Sequence, residues 1–189
     1  MKKLAIVAAM ALATLSVSAQ VAVSGKYSTF VDSTKTGGVR QGTMVVDPTS
    51  NINVTAREDL GGGLGARVVV ETTIGNNNTV DGTANTQLGD RQSTVGLAGK
   101  LGSVDIGRNV HSQFLALTTN DAFGTLYGSV AGDVHNLRGL RYSNGAFVTT
   151  NLGPIAASFD RSNNGAGQAD VSSYSLGAKL GGVSAVAAR

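Results

Sequence analysis

From Gln20 onward the chain repeats one pattern, apolar and polar residues in turn, and that period of two belongs to an extended strand rather than a helix. Val21, Val23, Gly25, Tyr27, Thr29 and Val31 fall on one side of a first strand, with Ala22, Ser24, Lys26 and Ser28 on the other. Residues 32–48 are polar and glycine-bearing, which predicts a connection. Ile52, Val54 and Ala56 then alternate with Asn51, Asn53, Thr55 and Arg57 in a second strand. Asp59-Leu60-Gly61-Gly62-Gly63 predicts a tight turn, since glycine takes positive φ without steric cost. A third strand sets Leu64, Ala66, Val68, Val70 and Thr72 against Gly65, Arg67, Val69, Glu71 and Thr73.

The same grammar continues. A polar loop at 75–89 leads to strands at 90–98 and 103–109 around a short turn at 99–102. Residues 110–137 form the longest irregular stretch, of a length that in compact domains is usually functional. Strands at 139–148 and 154–160 flank a turn at 151–153, and a loop at 161–170 precedes a strand at 171–180. Gly181-Gly182 turns the chain into a last strand at 183–188, which stops at Arg189 in mid-pattern. Long and short connections therefore alternate, as they do in a transmembrane antiparallel β-barrel with brief turns at one end and extended loops at the other. The fold class is all-β, and an edge strand left unpaired in lipid predicts that further strands complete the barrel.

The first residues are of another kind. Met1-Lys2-Lys3 is positive, Leu4 to Val17 is apolar, and Val17-Ser18-Ala19 supplies small residues, the arrangement of a signal peptide over 1–19 ahead of an exported domain over 20–189. The apolar run falls short of the roughly 20 residues a spanning helix needs. With 14% charged residues the chain lies well below the globular norm of about 25%. The absence of Cys excludes a disulfide framework and a cysteine-ligated metal centre. The net charge of +3 falls to +1 once Lys2 and Lys3 leave. A pI near 9.4 hints at nucleic acid, but the basic residues are scattered singly instead of massed to meet phosphates, so nucleic acid is set aside.

Five short motifs in order carry a resemblance. Glu58-Asp59-Leu60-Gly61-Gly62-Gly63-Leu64 is followed by Arg91-Gln92 with Val95-Gly96-Leu97, then by Leu101-Gly102-Ser103-Val104 leading to Gly107-Arg108. Asp121-Ala122-Phe123-Gly124 and Leu140-Arg141-Tyr142-Ser143 complete the series. The chain resembles the general diffusion porins of Gram-negative bacteria, particularly the beta-proteobacterial type, over about residues 20 to 180. The resemblance implies a sixteen-stranded barrel in the outer membrane, usually a homotrimer, whose third external loop folds inward and narrows a water-filled pore. Small hydrophilic solutes and ions would pass by passive diffusion, with lipid outside and no cofactor. The eight or nine strands here correspond to about half of such a barrel. Two other readings stand beside it: a small closed eight-stranded barrel of structural or adhesive role, its interior plugged, and a soluble exported β-sandwich that binds a ligand.

In a pore of this kind the charged lining is the site. The resemblance implies Arg91, Arg108 and Arg141 as wall arginines and Asp121 as the acidic residue of the inward loop; the strand pattern adds Arg67 and Glu71, four apart on one face. Arg91 keeps phase with Val95 and Leu97, which leaves it either in the lumen or at an interface or strand end. Arg108 keeps phase with Val104 and Ile106, which leaves it either in the lumen or pointing toward a neighbouring subunit's loop. Arg141 has Leu140 and Tyr142 on the opposite face and shares its own with Gly139 and Ser143. Asp121 also suits a turn former, and Arg138 a solvated loop end. Two departures from the family bear on the pore: Asn51 stands where an arginine is usual, and Ala122 where proline is usual, so the constriction is less basic and the loop less rigid. Tyr27, Phe30, Tyr142, Phe147, Phe159 and Tyr174 are the candidates for interfacial girdles.

Enzyme chemistry finds no purchase. Gly61-x-Gly63-x-x-Ala66 matches a loose dinucleotide fingerprint but opens a strand where that motif must open a helix. His111 and His135 lack the partners of a zinc site, and no Gly-x-Ser-x-Gly elbow occurs.

Overall fold

The computed structural model describes residues 19–189 apart from 48, 75–78, 81–82, 85–86, 119–140, 164–169 and 182. In chain order the elements are β1 (Gln20–Lys26), β2 (Thr29–Thr36), β3 (Val39–Val46), β4 (Asn51–Gly61), β5 (Leu64–Thr73), β6 (Thr79–Val80), β7 (Thr83–Ala84), β8 (Gln92–Gly99), β9 (Gly102–Val110), α1 (Ser112–Thr118), β10 (Arg141–Leu152), β11 (Ile155–Ser162), β12 (Val171–Leu180) and β13 (Val183–Ala188). Nine of the strands form one sheet in the order β1-β4-β5-β8-β9-β10-β11-β12-β13, and every neighbouring pair is antiparallel. Short turns join β4 to β5, β8 to β9, β10 to β11 and β12 to β13 at one end; the long connections lie at the other. At the first short turn Gly61, Gly62 and Gly63 have φ of 84°, 63° and 80°, and Asp59 accepts the Gly61 N–H at 2.8 Å. The sheet is not closed: β1 and β13 are its two edges, as in part of a larger barrel.

Residues 32–48, expected as a connection, hold a hairpin. β2 and β3 pair from Thr29↔Val46 to Thr36↔Val39 as a separate two-stranded ribbon, closed by Gly37-Gly38 with φ of 59° and 83°. Two glycines at positive φ make the two-residue turn whose twist suits a hairpin, and the flanking Val, Thr and Phe are strand formers. The first strand accordingly stops at Lys26 instead of running to Val31. At the break the Ser28 N–H donates to the Ser50 hydroxyl at 3.1 Å and the Asp47 N–H to the Ser28 carbonyl at 2.8 Å. Burial pushes the Asp47 carboxyl up, but hydrogen bonds from the Thr49 hydroxyl and amide and the charge of Lys26 outweigh it and hold the group below its ordinary value.

Burial in the sheet is inside out. Among the described residues the only buried apolar side chains are Ala116 and Phe147, while Thr94, Asp105, His111, Asp160, Ser162 and Ser173 are all buried. One row of exposed apolar residues crosses five strands: Leu97, Val104, Val148, Phe159 and Tyr174 stand in register. Val95, Ile106, Val68, Val54 and Val21 extend this face. A continuous apolar surface of that extent is costly against water and stable against hydrocarbon. Helix α1 lies on the opposite, polar face, which is the inner one.

Candidate functional site

Asp160 brings α1 to the inner wall. Its Oδ1 accepts the Ser112 N–H and the Ser173 hydroxyl, each at 2.6 Å, and the Gln113 N–H reaches the Ser173 hydroxyl at 3.3 Å. The helix is held by its first turn, where backbone N–H groups have no partner within the helix. Leu115 and Ala116 then line a cleft of about 480 Å³ together with Thr149, Ser158, Ser175 and Lys179. The chain leaving β9 therefore turns inward over the wall. This is the start of the expected long loop, ordered as a short helix over 112–118 rather than irregular from its first residue.

Toward the long-loop end, charges gather. Arg91 sits in the bend just before β8, where strand alternation has no hold on it, and its Nε bonds the Glu71 carboxylate. Arg108 stands opposite Ser93, in phase with Val104 and Ile106; its Nε donates to the Asp90 carbonyl at 2.7 Å and its Nη1 to the Ser143 hydroxyl at 2.9 Å. Asp90 is itself held, accepting the Thr73 N–H at 2.8 Å and the Thr73 hydroxyl at 2.6 Å. Arg141 feels the charges of Arg91, Glu71, Arg108 and Asp90, and its Nε is buried without a hydrogen-bond partner among the described residues. Three guanidinium groups thus gather with two carboxylates, an excess of one positive charge.

A bulge sets where Arg141 stands. β10 pairs with β9 as Gly145↔Gly107, then slips by one residue to Tyr142↔Asn109 and Arg141↔Val110, with Asn144 at φ 54°. The extra residue reverses the phase of everything before it. Tyr142 therefore joins the inner set, its ring 5.4 Å from that of the buried His111. Arg141, which alternation sets on the face opposite Tyr142 and in step with Phe147, instead takes the phase of Val110 and Arg108. Phe147 is also inside, 4% exposed, so Tyr142 and Phe147 leave the expected girdle, while Phe159 and Tyr174 keep their places on the outer face.

Arg67 and Glu71 share the inner phase of β5 but belong to separate networks. Arg67 reaches over β8 to β9: its Nε donates to Asp105 Oδ1 at 2.7 Å, its Nη2 bonds the other carboxylate oxygen, and Nη2 also donates to the Ser103 hydroxyl at 2.9 Å. The Ser103 hydroxyl continues to that of Thr149 at 2.9 Å. Gly96 stands between the partners, opposite both Arg67 and Asp105. A Cβ there would collide with the Asp105 carboxylate and the Val104 carbonyl.

Asp121, Arg138, Leu140 and His135 lie outside the described residues. Sequence reasoning passed over Asp105 and Asp160, although both carry a signal: Asp105 is the polar residue between Val104 and Ile106, and Asp160 directly follows Phe159, so alternation turns each of them away from the apolar face. Among the described residues no three His, Asp or Glu side chains gather to hold a metal ion.

A sequence model of the family described as Gram-negative porin matches residues 5–188. A search of the curated proteins gives no match. Among solved structures, an anion-selective porin from Comamonas acidovorans superposes with a TM-score of 0.72 at 26% identity, over 89% of this chain and 56% of that one. An outer membrane protein of Vibrio cholerae, OmpT lacking its loop L8, superposes with a TM-score of 0.69 at 13% identity, over 90% of this chain and 52% of the other, and so shares the fold. The chain spans about half the length of each. With its alternating strands, inside-out sheet and inward-turning helix, it belongs to the Gram-negative porin family.

Proposed function

We propose that this chain forms part of an outer-membrane channel through which small hydrophilic solutes and ions diffuse passively. The observation that carries it is the inside-out sheet: apolar side chains line the exposed outer face, and polar and charged ones line the face on which α1 lies. Residues 1–19 act as the export leader, the open sheet closes with further strands in the complete protein, and the closed barrel assembles as a trimer, each in line with the family. No bond chemistry is required of such a protein. The pore acts through its charged residues, and the cluster of Arg91, Arg108 and Arg141 with Glu71 and Asp90, in which Glu71 has the inner phase and Arg108 and Arg141 the outer, biases the mouth at the long-loop end toward positive charge. Asp121 serves as the acidic counterpart on the inward loop. The bias and the likeness to an anion-selective porin favour small anions over cations. A closed eight-stranded barrel is disfavoured because β1 and β13 stay apart, and a sandwich because no second sheet covers the apolar face among the described residues.

The test is electrical. The complete protein, reconstituted in a planar bilayer, gives stepwise conductance and a reversal potential of anion-preferring sign under a salt gradient. Absence of steps contradicts the channel; steps with a cation-preferring sign contradict the assignment of the arginine cluster.

A further inference from the structure

We propose that Arg57 is a second selectivity residue, an unpaired cation on the inner wall toward the short-turn end that attracts small anions independently of the arginine cluster. The proposal rests on the channel reading above. A single row of paired residues runs Gln20, Arg57, Arg67, Gly96, Asp105, Phe147, Asp160, Ser173 across the inner face. It holds four charges. Arg67 and Asp105 neutralise each other across Gly96. Asp160 is 0% exposed and occupied by the Ser112 amide and the Ser173 hydroxyl. Arg57 is exposed and forms no hydrogen bond or ion pair among the described residues, so the row's accessible charge is one guanidinium.

Holding the sheet together does not explain it. Arg57 stands directly opposite Arg67, and like charges in that position destabilise a strand pair. The nearest acid on the same face is Asp59, whose carboxylate accepts the Gly61 N–H of the turn. A cleft of about 450 Å³ opens here, lined by Gln20, Arg57, Glu58, Asp59, Gly65 and Arg67 among others, and neither Glu58 nor Asp59 forms an ion pair with Arg57. Arg67 contributes by positioning: in occupying Asp105 it keeps that negative charge from cancelling Arg57. The two basic regions act separately, because the four residues from Arg67 to Glu71 span about 13 Å of strand, beyond the screening length of about 8 Å at physiological salt.

The experiment uses the complete protein in planar bilayers, with the anion-to-cation permeability ratio read from the reversal potential. Arg57→Gln lowers the ratio roughly twofold and Arg57→Glu lowers it further, while Arg57→Lys keeps it. Lys100→Gln, the same charge loss at an exposed turn of the same end but outside the row, leaves it unchanged. These 189 residues contain no cysteine, so Arg57→Cys in open channels permits a second measurement: attachment of a cationic thiosulfonate restores the ratio and an anionic one depresses it. A ratio indifferent to Arg57→Gln and to both reagents, with channels still open, overturns the proposal and leaves the channel reading intact. A parent protein without conductance removes both.

Discussion

Gly96 shows how little of a charged wall is decided by the charged residues. Arg67 was visible in the sequence as an inward-facing cation, and Glu71, four residues along the same face, was its natural companion. The structure gives each a different partner, because the Arg67–Asp105 bridge depends on the register of two successive strand pairings and on a missing side chain between them. Alternation within one strand carries no information about register with the next but one. Gly96→Ala places a methyl group where the carboxylate lies, so the bridge opens or the strands part. We expect a loss of stability of about 1–3 kcal/mol, the usual range for overpacking a fitted site. It is read as a lower unfolding temperature of the detergent-solubilised protein; an unchanged temperature would show that the wall yields freely there.

At the scale of elements, the strands were legible where the period of two is clean. The segments at 171–180 and 183–188 have the limits that alternation predicts. The hairpin at 29–46 was hidden because its residues look like a polar connection, and what makes them strands is the Gly37-Gly38 turn that folds them on each other. The bulge in β10 was hidden more deeply. Counting by twos from Phe147 brings Arg141 inward, and only the slip between Tyr142 and Gly145 shows that the count breaks. Asn144→Val puts a β-branched side chain where φ is 54°, a region such residues avoid, and so favours regular pairing over the bulge. In regular pairing Arg141 turns into the inner phase and Tyr142 is drawn off His111. The expected result is a changed single-channel conductance with the barrel still inserted. Conductance identical to that of the parent would mean that the bulge does not set the charged wall of the pore.

For the whole molecule, one distribution of polarity accounts for fold, setting and function together. A sheet that hides its polar residues and exposes its apolar ones is stable only where hydrocarbon lies on one side and water on the other, and a wall of that kind bent into a barrel encloses an aqueous path. This much was in the sequence, since a period of two separates the two faces by itself. The inward helix and its anchor on Asp160 were not, because they depend on a contact between residues 48 positions apart. The most direct test of the two-faced wall is a set of single cysteines along β8 in the complete protein inserted in its membrane, challenged with a water-soluble maleimide. Gln92 and Ala98 lie in the inner phase and Val95 and Leu97 in the outer. Cysteines at 92 and 98 should react and those at 95 and 97 should stay protected; reaction at 95 and 97 with protection at 92 and 98, or equal reaction at all four, would contradict the account.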